Sequence, residues 1–318
     1  MKHPVKVSVI IPVYNVEAYL PYAMQSCIDQ TLCDVEFICV NDGSTDNSLE
    51  ILNRYAKLDD RIVVIDKPNG GLSSARNAGM KASNGEIIMF LDSDDYLSPN
   101  ACERVWIESL EANTDIIVFG TEIVPANPRP SEWYNWNLHI GSRRFTEFDA
   151  KILFYETGSM PFVWRQAFSK RLLDKTGVTF DETVKFGEDT VFQMEIFPYA
   201  KNIAYIADRL YNYRWCREGS LMAEINKKEE SKLAEHLVIA DKIFSFWKKN
   251  DIFSKYGVYP LAWFIDFVGW HILKSESEEK ESLQRRFVKI VERYNLAENK
   301  KDLDARQKKL FKEIMAIK

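Results

Sequence analysis

The chain has 318 residues, 46% hydrophobic and 28% charged, the make-up of an ordinary globular protein with room for one large domain and an appendage, or two domains. Lys and Arg total 42 against 47 Asp and Glu, a formal net charge of -5, so no broad basic field invites nucleic acid as a partner. The five cysteines (Cys27, Cys33, Cys39, Cys102, Cys216) contain no Cys-x-x-Cys pair and an odd count is no disulfide framework; they read as reduced thiols of a cytoplasmic protein.

"MKHPVKVSVIIPVYN" carries basic residues and an apolar run, but Pro12 interrupts the run and no small-residue cleavage site follows, so it reads as a first strand. Helical spacing in "EAYLPYAMQSCIDQTL" comes next, then strand "VEFICVNDGSTDN" running into turn residues. Helix "SLEILNRYAKL", strand "RIVVIDKPNGG", helix "LSSARNAGMKAS", strand "GEIIMFLDSDD", helix "NACERVWIESLEA" and strand "TDIIVFGTEIV" continue the alternation. Continuous apolar strands between helices predict an α/β fold with a mostly parallel sheet covered on both faces. Ligands of such sheets bind outside the carboxyl ends of the strands, where "PVYN", "NDGSTDN" and "DSDD" all fall.

From about 125 to 150 the period dissolves into "PANPRPSEWYNWN", read as a long binding loop in which Trp133, Tyr134 and Trp136 either stack on sugars or anchor packing. "DAKILFYE" reads as helix, "FVWRQAFSKRLLDKTG" as strand and helix closing on Gly177, and "KFGEDTVFQMEIFPYAKN" as a loop feeding a helix that starts at Glu188 and Asp189. "IAYIADRLYNYRW" resembles a pair of edge strands. Beyond about 222 the chain is helical and charge-laced. No stretch reaches the ~20 apolar residues that span a bilayer. The nearest, "VYPLAWFIDFVGWHILK", is interrupted by Pro260, Asp266 and His271 and reads first as a buried helix. Trp247, Trp263, Phe264, Phe267 and Trp270 beside Lys248, Lys249 and Lys274 also suit peripheral contact with the inner face of an anionic membrane, or a homodimer contact.

Asp92, Asp94 and Asp95 beneath a buried strand would repel one another, and a hard divalent cation removes that repulsion. Mg²⁺ or Mn²⁺ held by one or two of them and completed by water and substrate phosphates fits the pattern. A turn and a helix cap at Ser98 or Asn100 is the plainer alternative for the short motif taken alone. Asp42 ends a strand of the same sheet, where a carboxylate can accept the N–H of a pyrimidine base, although an Asp-Gly turn alone would explain it. "NGGLSSARNAG" offers a Gly-Gly turn, Ser73 as a helix cap and Arg76 one turn in, close to a bound nucleotide. Neither the dinucleotide fingerprint nor the P-loop pattern occurs there.

"SVIIPVYN", "VNDGSTDNS", "GGLSSARNAG", "FLDSDDYL" and "GEDTVF", in this order, resemble family 2 glycosyltransferases of the Rossmann-like GT-A fold, of the bacterial capsule, O-antigen and exopolysaccharide type. The resemblance covers residues 5 to about 220, and implies a transferase domain over 1–221 with a C-terminal helical region over 222–318. It implies that Pro12, Tyr14 and Asp42 line the base and ribose pocket and that "DSD" is the Asp-x-Asp signature, with Ser93 where Ala is common. Asp94 would then bind the metal, Asp92 the ribose or the metal shell, with Asp95 orienting both. Asp189 would be the catalytic base, and Arg217 and Ser220 would close over the diphosphate. The reaction expected is inverting transfer from a nucleotide sugar, UDP-linked, to a hydroxyl of a glycan or lipid-linked acceptor in cell-surface polysaccharide synthesis. A sugar nucleotidyltransferase, which usually shows a Gly-rich basic loop where this chain has "PVYNVEAYL", and a non-catalytic sugar-nucleotide-binding protein are the alternatives.

Overall fold

Val7–Val13 forms β1, buried at every residue because strands flank it on both sides and helices lie above and below. The computed structural model describes residues 4–125, 132–154, 160–215, 229–253 and 256–317. It divides into two units, Met1–Asp149 with Glu156–Cys216, and Ala150–Tyr155 with Arg217–Lys318.

The first unit carries one sheet in the order β3-β2-β1-β4-β8-β6-β9-β5, with β7 (Arg143–Phe145) also on β9. β2 (Val35–Asp42), β3 (Ile62–Lys67) and β4 (Ile87–Phe90) run parallel with β1, so their carboxyl ends share one edge. β8 (Gln166–Ser169) is antiparallel between β4 and β6 (Ile116–Val124), and its start therefore lies at that same edge. β9 (Ile203–Arg214) runs parallel with β6, while β5 (Tyr96–Leu97) adds antiparallel to its end.

Alternation along the strands sorts the helices. Val7, Val9 and Ile11 with Phe37 and Cys39 pack under α1 (Leu20–Ile28), α2 (Ser48–Ala56) and α4 (Ala101–Leu110). Ile38 and Val40 turn the other way, onto Ala75 of α3 (Leu72–Ala82). On that same face Phe90 meets the rings of Phe168, Phe180 and Phe192, and Phe180 and Phe192 stack at 4.2 Å. α7 (Lys170–Thr176) closes on Gly177, as its sequence predicts, and α8 (Glu188–Ile196) follows.

Three readings of the sequence are corrected. The expected loop at 125–150 holds α5 (Glu132–Leu138) and β7. Its order comes from tertiary anchoring that no local period reveals: Leu138 and Asn137 are buried, and the Asn137 carbonyl accepts from buried Arg165. "IAYIADRLYNYRW" is one strand, β9, whose register against β6 shifts around Gly120, and it pairs on both sides. Ser73 is no cap, since Gly71 holds the N-cap position of α3.

The second unit holds α6 (Lys151–Phe154), α9 (Glu229–Lys249), α10 (Tyr259–Phe264), a π-turn at Ile265–Gly269, α11 (Trp270–Lys274), α12 (Lys280–Arg293) and α13 (Ala305–Ile314). Trp247 and Phe264 of the aromatic-basic set lie in its core, Phe264 stacked on Phe287 at 4.1 Å, while Trp263, Phe267 and Trp270 are half-buried. Much of the aromatic surface read from the sequence is therefore internal packing. No helix among the described residues is long and apolar enough to cross a membrane.

Gly79 lets α3 lie directly on β1, where a Cβ would run into Cγ2 of Ile10. Gly79→Ala should lower unfolding free energy by about 1–3 kcal/mol through overpacking, despite the better helix propensity of Ala. Denaturant titration checks this; an unchanged or raised midpoint would contradict it.

Candidate functional site

Four strand ends meet at the shared edge. After β1, Asn15 adopts a left-handed φ of 50° and its Oδ1 accepts from Thr45 N at 2.8 Å, while its own N–H reaches Ser44 Oγ. Glu17 N–H donates to Asp46 and Glu17 Oε2 accepts from Asn47 N at 2.9 Å, so the "VYNVE" and "GSTDN" turns are laced to each other. Pro12 is buried inside β1 opposite Val40, and Tyr14 is 49% exposed at the rim.

Asp42 is buried, and its carboxylate accepts from Gly70 N at 2.9 Å, Gly71 N at 2.7 Å and the Lys67 ammonium. The φ of 87° at Gly71, which glycine adopts without penalty, helps form this turn ahead of α3. Asp42 thus fixes the start of α3, a duty in addition to the base contact expected of it.

One turn into α3 stands Arg76, 1% exposed. Its Nη1 donates to Glu188 Oε1 at 2.9 Å and Asp189 Oδ1 at 2.7 Å, and its Nη2 to Asp92 Oδ1 at 3.0 Å. Phe180 lies under the guanidinium, 5.2 Å from ring centroid to Cζ. Burial alone would lower the arginine pKa, but Asp189, Asp92 and Glu188 hold it above its ordinary value. Arg76, expected close to a bound nucleotide, is enclosed by the carboxylates of the site.

The carboxylates arrive by two routes. β4 alternates so that Phe90 faces α3, and Asp92, two residues on, reaches Arg76 on that side. α8 begins at Gly187, φ 77°, which turns Glu188 and Asp189 into its first turn. Asn77 sets that loop, exchanging hydrogen bonds with both the N–H and the carbonyl of Phe180 at 2.9 Å. Asp189 Oδ2 also accepts from Val163 N at 3.3 Å, just ahead of β8.

The rest of the "DSDD" turn is tied down by hydrogen bonds. Asp95 is 2% exposed and accepts from Tyr211 Oη at 2.8 Å and Arg214 N at 2.6 Å; Tyr211 Oη in turn accepts from Asp92 N at 3.1 Å. Ser93 is buried and Asp94 half-buried, with the Asp94 carbonyl accepting from Arg214 Nε at 2.8 Å. Burial, opposed by Arg76 and reinforced by Asp94, raises the Asp92 pKa. Burial and the carboxylates of Asp94 and Asp92 push Asp95 well up. Asp189 is also pushed well above the carboxylate range by burial, with Arg76 pulling back and Glu188 and Asp92 pushing further.

Sequence reading did not single out Tyr211, Arg214 or Trp164. Tyr211 and Tyr213 stack on Trp164 at 4.6 and 5.3 Å, and Tyr213 approaches Trp215. Period-two aromatics in "YNYRW" were the available signal. Arg217 and Ser220 lie outside the described residues, as do the side chains of Trp133 and Tyr134; Trp136 is 58% exposed.

Among the described residues no group of three His, Cys, Asp or Glu side chains forms a ready metal cage. Asp92 keeps one oxygen on Arg76 and Asp95 is buried and committed to Tyr211 and Arg214 N, whereas Asp92 and Asp94 are the half-buried carboxylates of the turn. One or two carboxylates with water and phosphate completing the shell is the donor set Mg²⁺ takes, so these residues fit such an ion.

A family model described as glycosyl transferase family 2 matches residues 8–172. The uncharacterized glycosyltransferase EpsJ of Bacillus subtilis (strain 168) is 38% identical over 211 residues, 65% of this chain and 60% of that protein. A poly(ribitol-phosphate) beta-glucosyltransferase of Bacillus spizizenii is 35% identical over 225 residues, 69% of this chain but 33% of that one. Among solved structures, Staphylococcus aureus TarS 1-349 in complex with UDP-GlcNAc superposes with a TM-score of 0.71 at 24% identity, covering 92% of this chain and 84% of that chain. The last is a likeness of fold, and it matches the α/β architecture predicted from the strand pattern.

Replacing Arg76 by Met would leave three carboxylates without their cation, a loss of about 3–5 kcal/mol for breaking a buried ion cluster. The raised pKa of Asp92 and Asp189 means that their contribution to stability is greatest below the ordinary carboxylate pKa of ~4 and is lost as pH rises through the raised values. Arg76→Met should therefore be most damaging near neutral pH and less so near pH ~4. Denaturant melts at both pH values test this, and an equal loss at the two would contradict it.

Proposed function

The chain belongs to glycosyl transferase family 2, and from that premise we propose that it is an inverting, cation-dependent transferase that moves a sugar from a UDP-linked donor to a hydroxyl of a glycan or lipid-linked acceptor in cell-surface polysaccharide synthesis. One observation carries the reading. The end of β4 and the start of α8 converge on a single buried guanidinium, which sets Asp92 and Asp189 within hydrogen-bond distance of one side chain.

The donor lies along the carboxyl ends of β1, β2 and β4, between the exposed Tyr14 and the "DSDD" turn. Asp94 and Asp92 would hold Mg²⁺ or Mn²⁺, which would supply charge neutralisation for the leaving diphosphate. Asp189 is the general base: its raised pKa moves it toward the operating pH, and Arg76 and Val163 N fix its orientation. It takes the proton of the acceptor hydroxyl, whose oxygen forms the new bond at the anomeric carbon as the nucleoside diphosphate leaves from the opposite face. A single displacement of this kind inverts the anomeric centre. Glu188 shares Nη1 of Arg76 with Asp189, so Arg76 keeps an anionic partner there when Asp189 takes the acceptor's proton. TarS, solved with UDP-GlcNAc, supports UDP as the nucleotide.

Asp189→Asn should lower kcat about 10²–10⁴-fold while leaving UDP affinity near wild type. In the wild type, kcat/KM should fall on the acid side through a pKa above the ordinary ~4, because protonated Asp189 cannot accept the hydroxyl proton. Release of UDP from candidate UDP-sugars is the assay; near-normal turnover by Asp189→Asn, or pyrophosphate as the product, would overturn the assignment. Mn²⁺ should raise the melting temperature in the presence of UDP for the wild type but not for Asp94→Ala. An equal shift in both proteins would place the cation elsewhere.

A further inference from the structure

Tyr19, Tyr22 and Tyr96 surround the Arg214 guanidinium, their ring centroids 5.2, 5.1 and 5.9 Å from its Cζ. Beside this cage a cleft of about 490 Å³ opens between α1 and the β5–β9 edge, lined by Tyr22, Gln25, Asp29, Tyr96, Asn212 and Arg214 among others. Tyr22 is 60% exposed at its mouth. Gln25 Nε2 donates to Asp29 Oδ1 at 2.9 Å, and Asn212 Nδ2 to the Tyr96 carbonyl at 3.3 Å. None of Tyr22, Gln25 and Asp29 has a part in the transfer chemistry above.

Three properties narrow what this cleft accepts. Its volume is within the ~300–1,000 Å³ of small-molecule sites. Its charge is balanced: one carboxylate, Asp29, and one guanidinium, Arg214, line it, and the Arg214 cation already faces three rings and donates to the Asp94 carbonyl, so a phosphate or carboxylate gains little there. Its walls combine an exposed aromatic ring with carboxamide and carboxylate groups. An apolar occupant would strip water from Gln25, Asp29 and Asn212 without replacing their hydrogen bonds. A pyranose satisfies both kinds of wall, with C–H groups against the tyrosine ring and hydroxyls that donate to Asp29 and accept from the amides.

We propose that this cleft is a second saccharide site, which holds an uncharged hexose unit of a glycan chain outside the transfer centre. The proposal rests on the transferase reading, because it takes the glycan to be the chain under extension. Arg214 joins the two places: it forms part of the cleft wall and bonds to the carbonyl of Asp94 and, through its N–H, to the carboxylate of Asp95. A glycan held there stays close to the reaction edge between transfers, and that raises its effective concentration.

The test is saturation-transfer NMR on the full chain, with short cello- and chito-oligosaccharides as probes in the presence of saturating UDP. Saturation transfer should appear with the wild type and with Tyr22→Phe, which keeps the ring, and weaken about tenfold in apparent affinity with Tyr22→Ala. No transfer to any of these probes, or equal affinity in Tyr22→Ala, would overturn the proposal. Thermal shift by UDP with Mn²⁺ on the same samples separates the two readings. Sugars that fail to bind a protein stabilised by UDP sink the cleft alone, whereas sugars that bind a protein indifferent to UDP sink the transferase reading and leave the cleft standing.

Discussion

Three carboxylates and one buried guanidinium set the terms for the candidate site. Asp92, Glu188 and Asp189 could not be brought together under a packed sheet without a cation among them, since each unpaired buried charge would cost several kcal/mol. Arg76 supplies that cation from α3, and it can do so only because Gly79 lets α3 press onto β1 and Asp42 pins the turn before it. Segments distant in sequence are thereby made conditional on one another. Buried ionic clusters contribute little net stability compared with apolar packing, and their value here is in fixing which strand end meets which helix start.

The arrangement also accounts for how one edge of a sheet can host a reaction with two separate jobs. β8, antiparallel to β4, brings Val163 N to Asp189 from the opposite direction to the parallel strands. β9 brings Tyr211 and Arg214 to the far side of the "DSDD" turn. In the proposed mechanism the parallel strands would provide the donor side, and the inserted antiparallel strand and α8 the proton acceptor. Three carboxylates against one guanidinium leave a formal surplus of negative charge, while the raised pKa values of Asp189 and Asp92 come first from burial. That surplus suits a cation arriving with a diphosphate.

Local features written in the chain were readable, and relations between segments were not. β-branched runs ending in "PVYN", "NDGS" and "DSDD" revealed the parallel strands and the edge where they finish, because strand period and turn residues are local properties. Glu188 and Asp189 at a helix start were legible for the same reason. The burial of Arg76 was not, because nothing in "SSARNAG" records that three carboxylates from elsewhere will close around it. α5 was missed since its anchor is Arg165, nearly thirty residues on. Tyr211 was missed because its partners Asp92 and Asp95, just ahead of the neighbouring strand β5, stand more than a hundred residues earlier in the chain, although its alternation with Tyr213 and Trp215 was a usable hint.

On the proposed function, Asp92 and Asp94 hold the donor's cation while Arg76 holds Asp92 and Asp189 together. Anomalous scattering from a crystal grown with UDP and Mn²⁺ tests it most directly. One strong manganese peak should lie within bonding distance of an Asp94 carboxylate oxygen, with Arg76 still bridging Asp92 and Asp189. A peak away from Asp92 and Asp94, or an Arg76 that has left both carboxylates to bind the diphosphate, would contradict it.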